Sequence, residues 1–227
     1  MLNIKMKLII AAIIIVFLAS SVVVIEANSL NNSKPHVAAR SGPIKVACVG
    51  DSITEQSEYP ADLQSKLGSN YTVGNFGVTG STVSLNSWKP YVFQTAFKNA
   101  QDFNPDIVII MLGTNDDLYS LQKYNDTFQA DYYIIINAFQ KLNTDPTILV
   151  ANPPPIFNNS SDLNPSYMDN TIIPLTDSLA NSMNIPIINV HDAIGNQTDL
   201  LKDGVHPNSE GSEVIADQVY NAIPQMT

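Results

Sequence analysis

One stretch restricts the fold of this chain more than any other, the run from Asp106 to Leu112. Every residue after Asp106 in this run is apolar, no polar residue alternates with them, and branched Ile and Val side chains dominate. A strand of this composition is covered on both faces, as the inner strands of a parallel sheet are. The stretch therefore predicts a parallel β-sheet with helices packed on both sides.

The rest of the chain supplies the partners for this strand. Four further apolar runs predict strands, at Ile44–Val49, Tyr71–Phe76, Thr147–Ala151 and Ile185–Val190. Helical patterns alternate with them, at Tyr59–Leu67, Pro90–Phe103, Thr127–Leu142, Ser166–Met183 and Glu210–Ile223, and Pro174 is expected to kink or divide the fourth. The alternation predicts an α/β fold over residues 44–227, in three α/β/α layers with a five-stranded parallel sheet.

The N-terminal residues have the composition of an export sequence. Lys5 and Lys7 precede an uncharged run from Leu8 to Ile25, and Ala27 offers a small residue for cleavage. The run approaches the ~20 residues that span a bilayer, so residues 1–27 are expected to be either a signal peptide or an uncleaved signal anchor. Residues 28–43 are polar and predict a linker. The domain is expected outside the cytoplasm, extracellular or at the cell surface, and membrane attachment would run through residues 8–25.

Composition excludes several classes of partner. The net charge of −10 and the pI near 4.5 argue against nucleic acid as a ligand. The single cysteine, Cys48, lies inside the first predicted strand, so it is expected to be a small buried apolar residue rather than half of an internal disulfide. No Cys/His spacing typical of zinc and no glycine-rich phosphate loop occurs, so neither a metal nor an organic cofactor is predicted.

Four short polar blocks follow the first three strands and precede the last helix. Each has an ordinary explanation when taken alone, as a helix N-cap, a glycine turn, an Asx turn or a surface Asp/His pair. All four nevertheless fall at the carboxyl end of the predicted sheet, where α/β proteins bind ligands. They are Gly50-Asp51-Ser52-Ile53, Asn75-Phe76-Gly77-Val78-Thr79-Gly80, Gly113-Thr114-Asn115-Asp116 and Asp203-Gly204-Val205-His206-Pro207.

In order and spacing these blocks resemble those of the SGNH-hydrolase family, the GDSL esterases and lipases. One residue departs from the name-giving motif, since Ile53 stands where the family has Leu. Within the family the chain is most similar to sialate-O-acetylesterase-like carbohydrate esterases. The resemblance covers residues 44–223, and it implies the flavodoxin-like SGNH-hydrolase fold and a serine esterase that needs no cofactor.

The resemblance also implies roles for individual residues. Ser52 would attack the ester carbonyl, His206 would take and return the proton, and Asp203 would orient the imidazole ring. The oxyanion hole would consist of the backbone N–H groups of Ser52 and Gly80 and the side-chain amide of Asn115. Gly77 is assigned to the turn before Gly80. The carboxylates of Asp51 and Asp116 are expected to hold loops together, and His191 is expected to be structural or at the rim.

The substrate implied is a small-molecule or glycan ester, with removal of acetyl groups from sugars as the leading hypothesis. A lysophospholipase or thioesterase is the alternative, and it would need an extended apolar groove. Six loop aromatics could line such a groove or stack on sugar rings: Tyr59, Trp88, Tyr91, Tyr119, Tyr124 and Phe157. A non-catalytic surface binding module is a further alternative, which the presence of Ser52, Asn115 and His206 disfavours.

Overall fold

The strands assemble into one parallel sheet in the computed structural model, which describes residues 42–118, 120–157 and 162–223. In these residues the sheet has five strands in the order β2-β1-β3-β4-β5. All adjacent strands of this sheet pair in parallel. This confirms the predicted fold class. The strands are β1 (Ile44–Gly50), β2 (Tyr71–Gly77), β3 (Ile107–Met111), β4 (Thr147–Ala151) and β5 (Ile187–Ile188).

Helices cover both faces of the sheet. Because side chains alternate along a strand, Val46 and Cys48 of β1 join one apolar cluster, whereas Ala47 and Val49 join the other. The first cluster includes side chains of α1, α2, α7 and α8, and the second includes side chains of α3, α4 and α6. The helices are α1 (Ser52–Gln56), α2 (Tyr59–Leu67), α3 (Thr95–Asp102), α4 (Asn125–Gln140), α5 (Pro165–Tyr167), α6 (Ile173–Ser182), α7 (Val190–Ile194) and α8 (Ser209–Ala222).

The strand β3 has the double-sided burial that its composition predicts. All five of its residues are buried. Ile107, Ile109 and Met111 contribute to one apolar cluster, and Val108 and Ile110 contribute to the opposite one. A polar residue anywhere in this strand would be taken out of water, which explains the absence of alternation in the sequence.

The last strand is shorter than predicted. The range Ile185–Val190 was expected to be extended, but only Ile187–Ile188 forms a strand. Val190 already begins α7, because the Asn189 side chain caps that helix by accepting a hydrogen bond from the Asp192 N–H. Because β5 is an edge strand, it pairs with one neighbour only, and few sheet hydrogen bonds compete with the start of the helix.

Two predicted helices are divided. The first turn of the predicted helix Pro90–Phe103 is a 3₁₀ turn, Tyr91–Phe93, and α3 begins only at Thr95 after an extended residue. In the second case a π-helical turn, Met168–Ile172, separates α5 from α6. Pro174 lies in the first turn of α6. Since proline lacks an N–H and crowds the preceding turn, the wider π turn accommodates it where a division was predicted.

The N-terminal predictions concern residues that the structure does not describe. The signal or anchor segment 1–27 and the linker up to residue 41 lie outside the described ranges. Within those ranges no helix combines the length and the apolar character needed to cross a bilayer. Cys48 is a buried free thiol, and burial raises its pKa to about 12, so it stays protonated.

Candidate active site

Ser52 is the first residue of α1 and follows β1 after a single residue, Asp51. The Asp51 carboxylate caps the helix by accepting a hydrogen bond of 2.9 Å from the Ile53 N–H. Gly50 permits the tight exit from the strand, because a Cβ there would lie 2.7 Å from the Met111 carbonyl oxygen. The strand-to-helix turn thus places the Ser52 hydroxyl at the carboxyl end of the sheet.

The structure brings Ser52 together with His206 and Asp203. Ser52 Oγ lies 2.9 Å from His206 Nε2, and His206 Nδ1 lies 2.7 Å from Asp203 Oδ2. An ionised carboxylate can only accept hydrogen bonds, so the Nδ1–H of the ring donates to Asp203 and leaves Nε2 free to accept from the serine. This is the geometry of a nucleophile, a base and an orienting acid.

The Asp203 carboxylate is fixed by its own loop. Its Oδ1 atom accepts the backbone N–H groups of His206 at 2.7 Å and Val205 at 3.0 Å. Partial burial alone would raise the pKa of Asp203, but the hydrogen bonds from His206 and Val205 and the charge of the ring outweigh it, so the pKa is lowered. Asp203 therefore remains an acceptor for the imidazole well into the acid range.

Gly80 lies in a tight turn of the loop that follows β2. The Ser81 N–H donates to the Val78 carbonyl oxygen at 3.0 Å, and Gly80 has φ +75°. Thr79 is not among the described residues with positive φ, so the turn is of type II, which requires φ above zero at its third residue. Within the described ranges the Gly80 N–H has no acceptor, and it is free to donate to a ligand.

Asn115 lies next to the same turn. It begins a short 3₁₀ turn after β3, Asn115–Asp117, and its Nδ2 atom donates to the Ser81 carbonyl oxygen at 2.9 Å. An amide nitrogen carries two hydrogens, so one remains for a ligand. The structure therefore sets the side chain of Asn115 beside the residue that follows Gly80.

The chain matches a family of known proteins over most of its length. The family model described as the GDSL-like lipase/acylhydrolase family matches residues 48–214, which include all or part of each of the four polar blocks. The chain belongs to this family. The predicted relationship to the SGNH hydrolases, a family of ester-hydrolysing enzymes, is thus confirmed.

Relatives of this family member include an acetylxylan esterase of Xylanibacter ruminicola, 32% identical over 212 residues. The alignment covers 82% of this chain and 44% of that protein, so the chain spans less than half the length of the curated relative. Among solved structures, the M. smegmatis aryl esterase matches with a TM-score of 0.64 at 18% identity, covering 78% of this chain and 97% of the other. A carbohydrate acetylesterase from Sinorhizobium meliloti matches with a TM-score of 0.64 at 20% identity and the same coverage. At these identities the two structures show a shared fold.

The second polar block packs α1 against β2. A Cβ on Gly77 would lie 2.2 Å from the Glu55 backbone nitrogen, so only glycine allows this approach. Asn75 donates from Nδ2 to the Thr54 carbonyl oxygen at 2.8 Å and accepts the Gly77 N–H at 3.0 Å. Gly77 was predicted to serve the turn, but it ends β2, and its constraint is the contact with the helix that begins at Ser52.

Buried carboxylates hold the loops of the site, as predicted for Asp51 and Asp116. Asp116 accepts the backbone N–H groups of Val83 and Ser84, both at 2.8 Å, and Asp117 accepts the Asn164 N–H at 2.9 Å. Burial raises the pKa of Asp51 to about 6 and the pKa values of Asp116 and Asp117 to about 7 each. The other histidine of the described residues, His191, contacts Asp169, with Nε2 at 3.1 Å from Oδ1.

The raised pKa values of Asp51, Asp116 and Asp117 make the stability of the fold depend on pH. Each group has a higher pKa in the folded than in the unfolded state. Its contribution to the free energy of unfolding is therefore fully present below its usual pKa and is lost as the pH rises through about 6 to 7. We expect the melting temperature to rise on going from about pH 8 to about pH 5. Asp203, whose pKa is lowered, opposes this trend only at more acid pH. Calorimetry at constant ionic strength measures the effect, and a melting temperature that falls steadily over this interval would contradict it.

The loop aromatics divide by burial. Tyr59 and Tyr91 are fully buried in the core, and the Tyr91 hydroxyl donates to the Phe76 carbonyl oxygen at 2.6 Å. Neither can line an open groove. Trp88 is 61% exposed and Phe93, which the sequence did not single out, is 74% exposed. Tyr124 and Phe157 are half-buried, and Tyr119 lies outside the described residues.

Two charged residues at the Gly80 turn were not predicted. Glu55 Oε2 accepts the Thr79 N–H at 2.6 Å and also the Thr79 hydroxyl, and Lys89 Nζ donates to the Thr79 carbonyl oxygen at 2.8 Å. No periodicity marks either residue, since only the folded loops bring them to Thr79. Among the described residues, no cluster of three or more His, Cys, Asp or Glu side chains could hold a metal ion.

Proposed function

We propose that this GDSL-family enzyme is an exported serine esterase that removes O-acetyl groups from carbohydrates by way of an acyl-enzyme. The observation that carries the proposal is the hydrogen-bonded series from Ser52 Oγ through the His206 ring to Asp203, with contacts of 2.9 and 2.7 Å. A serine in this series is a stronger nucleophile than an isolated one, because the ring accepts its proton during attack.

In the first half of the reaction Ser52 Oγ attacks the ester carbonyl carbon while His206 Nε2 takes the hydroxyl proton. The imidazolium that forms is stabilised by Asp203. The oxyanion of the tetrahedral intermediate accepts hydrogen bonds from the N–H groups of Ser52 and Gly80 and from the Asn115 amide. The carbon–oxygen bond to the sugar then breaks, His206 returns the proton to the departing sugar hydroxyl, and the acetyl group remains on Ser52.

In the second half a water molecule replaces the sugar alcohol. His206 takes a proton from the water, whose oxygen attacks the acetyl carbonyl carbon, and the same donors stabilise the second oxyanion. Collapse of this intermediate breaks the bond to Ser52 Oγ, which recovers its proton from His206. Acetate leaves, and the enzyme returns to its starting state without a cofactor.

Two observations favour an acetylated carbohydrate over a long-chain lipid. The acetylxylan esterase of Xylanibacter ruminicola is the curated relative at 32% identity. The indole of Trp88 is 61% exposed on the loop that follows the Gly80 turn, and an exposed aromatic ring with a polar N–H suits the apolar face and hydroxyl rim of a sugar.

The test is a substrate panel with the full-length protein. It contains p-nitrophenyl acetate, butyrate and palmitate, together with acetylated xylan assayed by release of acetate, and Ser52→Ala serves as the inactive control. We expect kcat/KM to be highest for the acetate ester and acetate to be released from the polysaccharide. A preference for palmitate would instead favour a lysophospholipase or thioesterase, and the absence of all turnover would favour a binding module.

Export is part of the proposal and rests on the uncharged run from Leu8 to Ile25 behind two lysines. Mass spectrometry of the native N-terminus, after fractionation of the producing cells, distinguishes the possibilities. A chain that begins near Asn28 in the medium indicates a cleaved signal peptide, and a chain that begins at Met1 in the membrane fraction indicates an anchor. A chain that begins at Met1 in the cytoplasmic fraction would contradict export.

A further inference from the structure

The Thr79–Gly80 peptide group combines a hydrogen-bonded carbonyl oxygen with an N–H that has no partner among the described residues. Its N–H belongs to Gly80 and is the proposed oxyanion donor, without an acceptor among the described residues. Its C=O belongs to Thr79 and accepts a hydrogen bond of 2.8 Å from the Lys89 ammonium group. The alkyl chain of Lys89 runs beside the turn, since a Cβ built on Gly80 would lie 3.9 Å from Lys89 Cδ.

This peptide group is the one that can rotate in a tight turn. Type I and type II turns differ by a flip of the central peptide, which exchanges the directions of its C=O and N–H. In the turn from Val78 to Ser81 the positive φ of Gly80 marks the type II state. Glycine tolerates both states, so the sequence of the turn does not by itself decide where the Gly80 N–H points.

The residues around the turn are arranged to hold one state. The Lys89 backbone is anchored, because its carbonyl oxygen accepts the Thr82 N–H at 3.1 Å and its N–H donates to Ser87 Oγ at 3.1 Å. On the other side, Glu55 accepts the Thr79 N–H and fixes the preceding peptide. No carboxylate pairs with the Lys89 ammonium group in the described part of the chain, so its positive charge is directed at the Thr79 carbonyl.

We propose that Lys89 is a positioning residue of the oxyanion hole, which locks and polarises the Thr79–Gly80 peptide so that the Gly80 N–H faces the reacting carbonyl. This rests on the proposed role of Gly80. A charge-assisted hydrogen bond is stronger than a neutral one, and a flip of the peptide breaks it. Electron density drawn towards the carbonyl oxygen also makes the N–H of the same peptide a better donor. The benefit is largest when the oxyanion forms, which is where it accelerates the reaction.

The test is Lys89→Met in the full-length protein, which keeps the alkyl chain and removes the ammonium group. We expect kcat for p-nitrophenyl acetate to fall about tenfold, less than the loss of a whole oxyanion donor. KM and the melting temperature should change little, because the contact is partly exposed and does not touch the ground-state substrate. Lys89→Arg, which keeps the charge and a donor, should restore most of the rate.

Lys98→Met is the matched control. It makes the same change in net charge, but Lys98 is an exposed residue of α3 that pairs with Asp102, so kcat should be unchanged. A second readout is the inhibition constant of a trifluoromethyl ketone, which forms an oxyanion with Ser52. The inhibition constant should rise in Lys89→Met by the factor by which kcat/KM falls, since both depend on the same donor.

Three results would overturn the inference: an unchanged kcat in Lys89→Met, a loss confined to the melting temperature, or a rise of KM alone. Failure of the proposed function is a separate result. If Ser52→Ala abolishes turnover while Lys89→Met is fully active, only the role of Lys89 is wrong. If Ser52→Ala remains active, the proposed nucleophile is wrong, whatever Lys89 does.

Discussion

Replacement of Ser52 by alanine is expected to lower kcat for acetate esters by on the order of 10⁶, the loss seen when the nucleophile of such a triad is removed. Among the described residues the hydroxyl makes one side-chain hydrogen bond, to His206 Nε2 at 2.9 Å. The melting temperature should therefore change little. His206→Ala should cost nearly as much as Ser52→Ala, because it removes both proton transfers, and Asp203→Ala should cost less, because Asp203 only orients and stabilises the ring.

The control for this experiment is Ser57→Ala. Ser57 directly follows α1, which Ser52 begins. In the part of the chain that the structure describes, its hydroxyl has one hydrogen bond, from the Tyr59 N–H at 3.4 Å, so turnover should be retained. A fluorophosphonate probe adds an independent readout, since it should label Ser52 in the wild type and leave Ser52→Ala unlabelled. Labelling of a different serine, or more than a few per cent residual turnover in the alanine variant, would place the nucleophile elsewhere.

Asn115→Ala is expected to lower kcat by roughly 10²–10³, because it removes one donor of the oxyanion hole. KM should change much less, since the donor meets the oxyanion more strongly than the ground-state carbonyl. The variant also loses the hydrogen bond of 2.9 Å to the Ser81 carbonyl oxygen. That loss should cost about 1 kcal/mol of stability, far less than the effect on kcat, which corresponds to about 2.7–4 kcal/mol.

The simpler alternative is that Asn115 only ties its turn to Ser81. In that case the alanine variant would melt earlier and keep its kcat, so both quantities must be measured on one sample. Asn99→Ala provides the control, because Asn99 is an exposed residue of α3 and its loss should alter neither. A destabilised but fully active Asn115→Ala protein would remove this residue from the proposed oxyanion hole.

The local sequence pattern predicted the architecture of the sheet and the positions of the four polar blocks along the chain. The uninterrupted apolar run of β3 predicts a strand buried on both faces, and the structure shows both faces covered. Periodicity also placed Ser52 and Asn115 where strands end, since the turn residues beside them break the apolar pattern. These properties depend on neighbours along the chain, and a sequence records them directly.

The tertiary structure decided the distances and the supports of the site. Ser52 and His206 are 154 residues apart, and only the packing of both loops at one sheet edge brings their side chains to 2.9 Å. Tyr59 and Tyr91 were candidates to line an acyl groove or to stack on sugar rings, yet both rings fill the core. No sequence motif identifies Glu55 or Lys89. Each makes a hydrogen bond to one backbone group of Thr79, and any charged side chain within reach could do so. Such contacts depend on how separate loops meet, which no local pattern records.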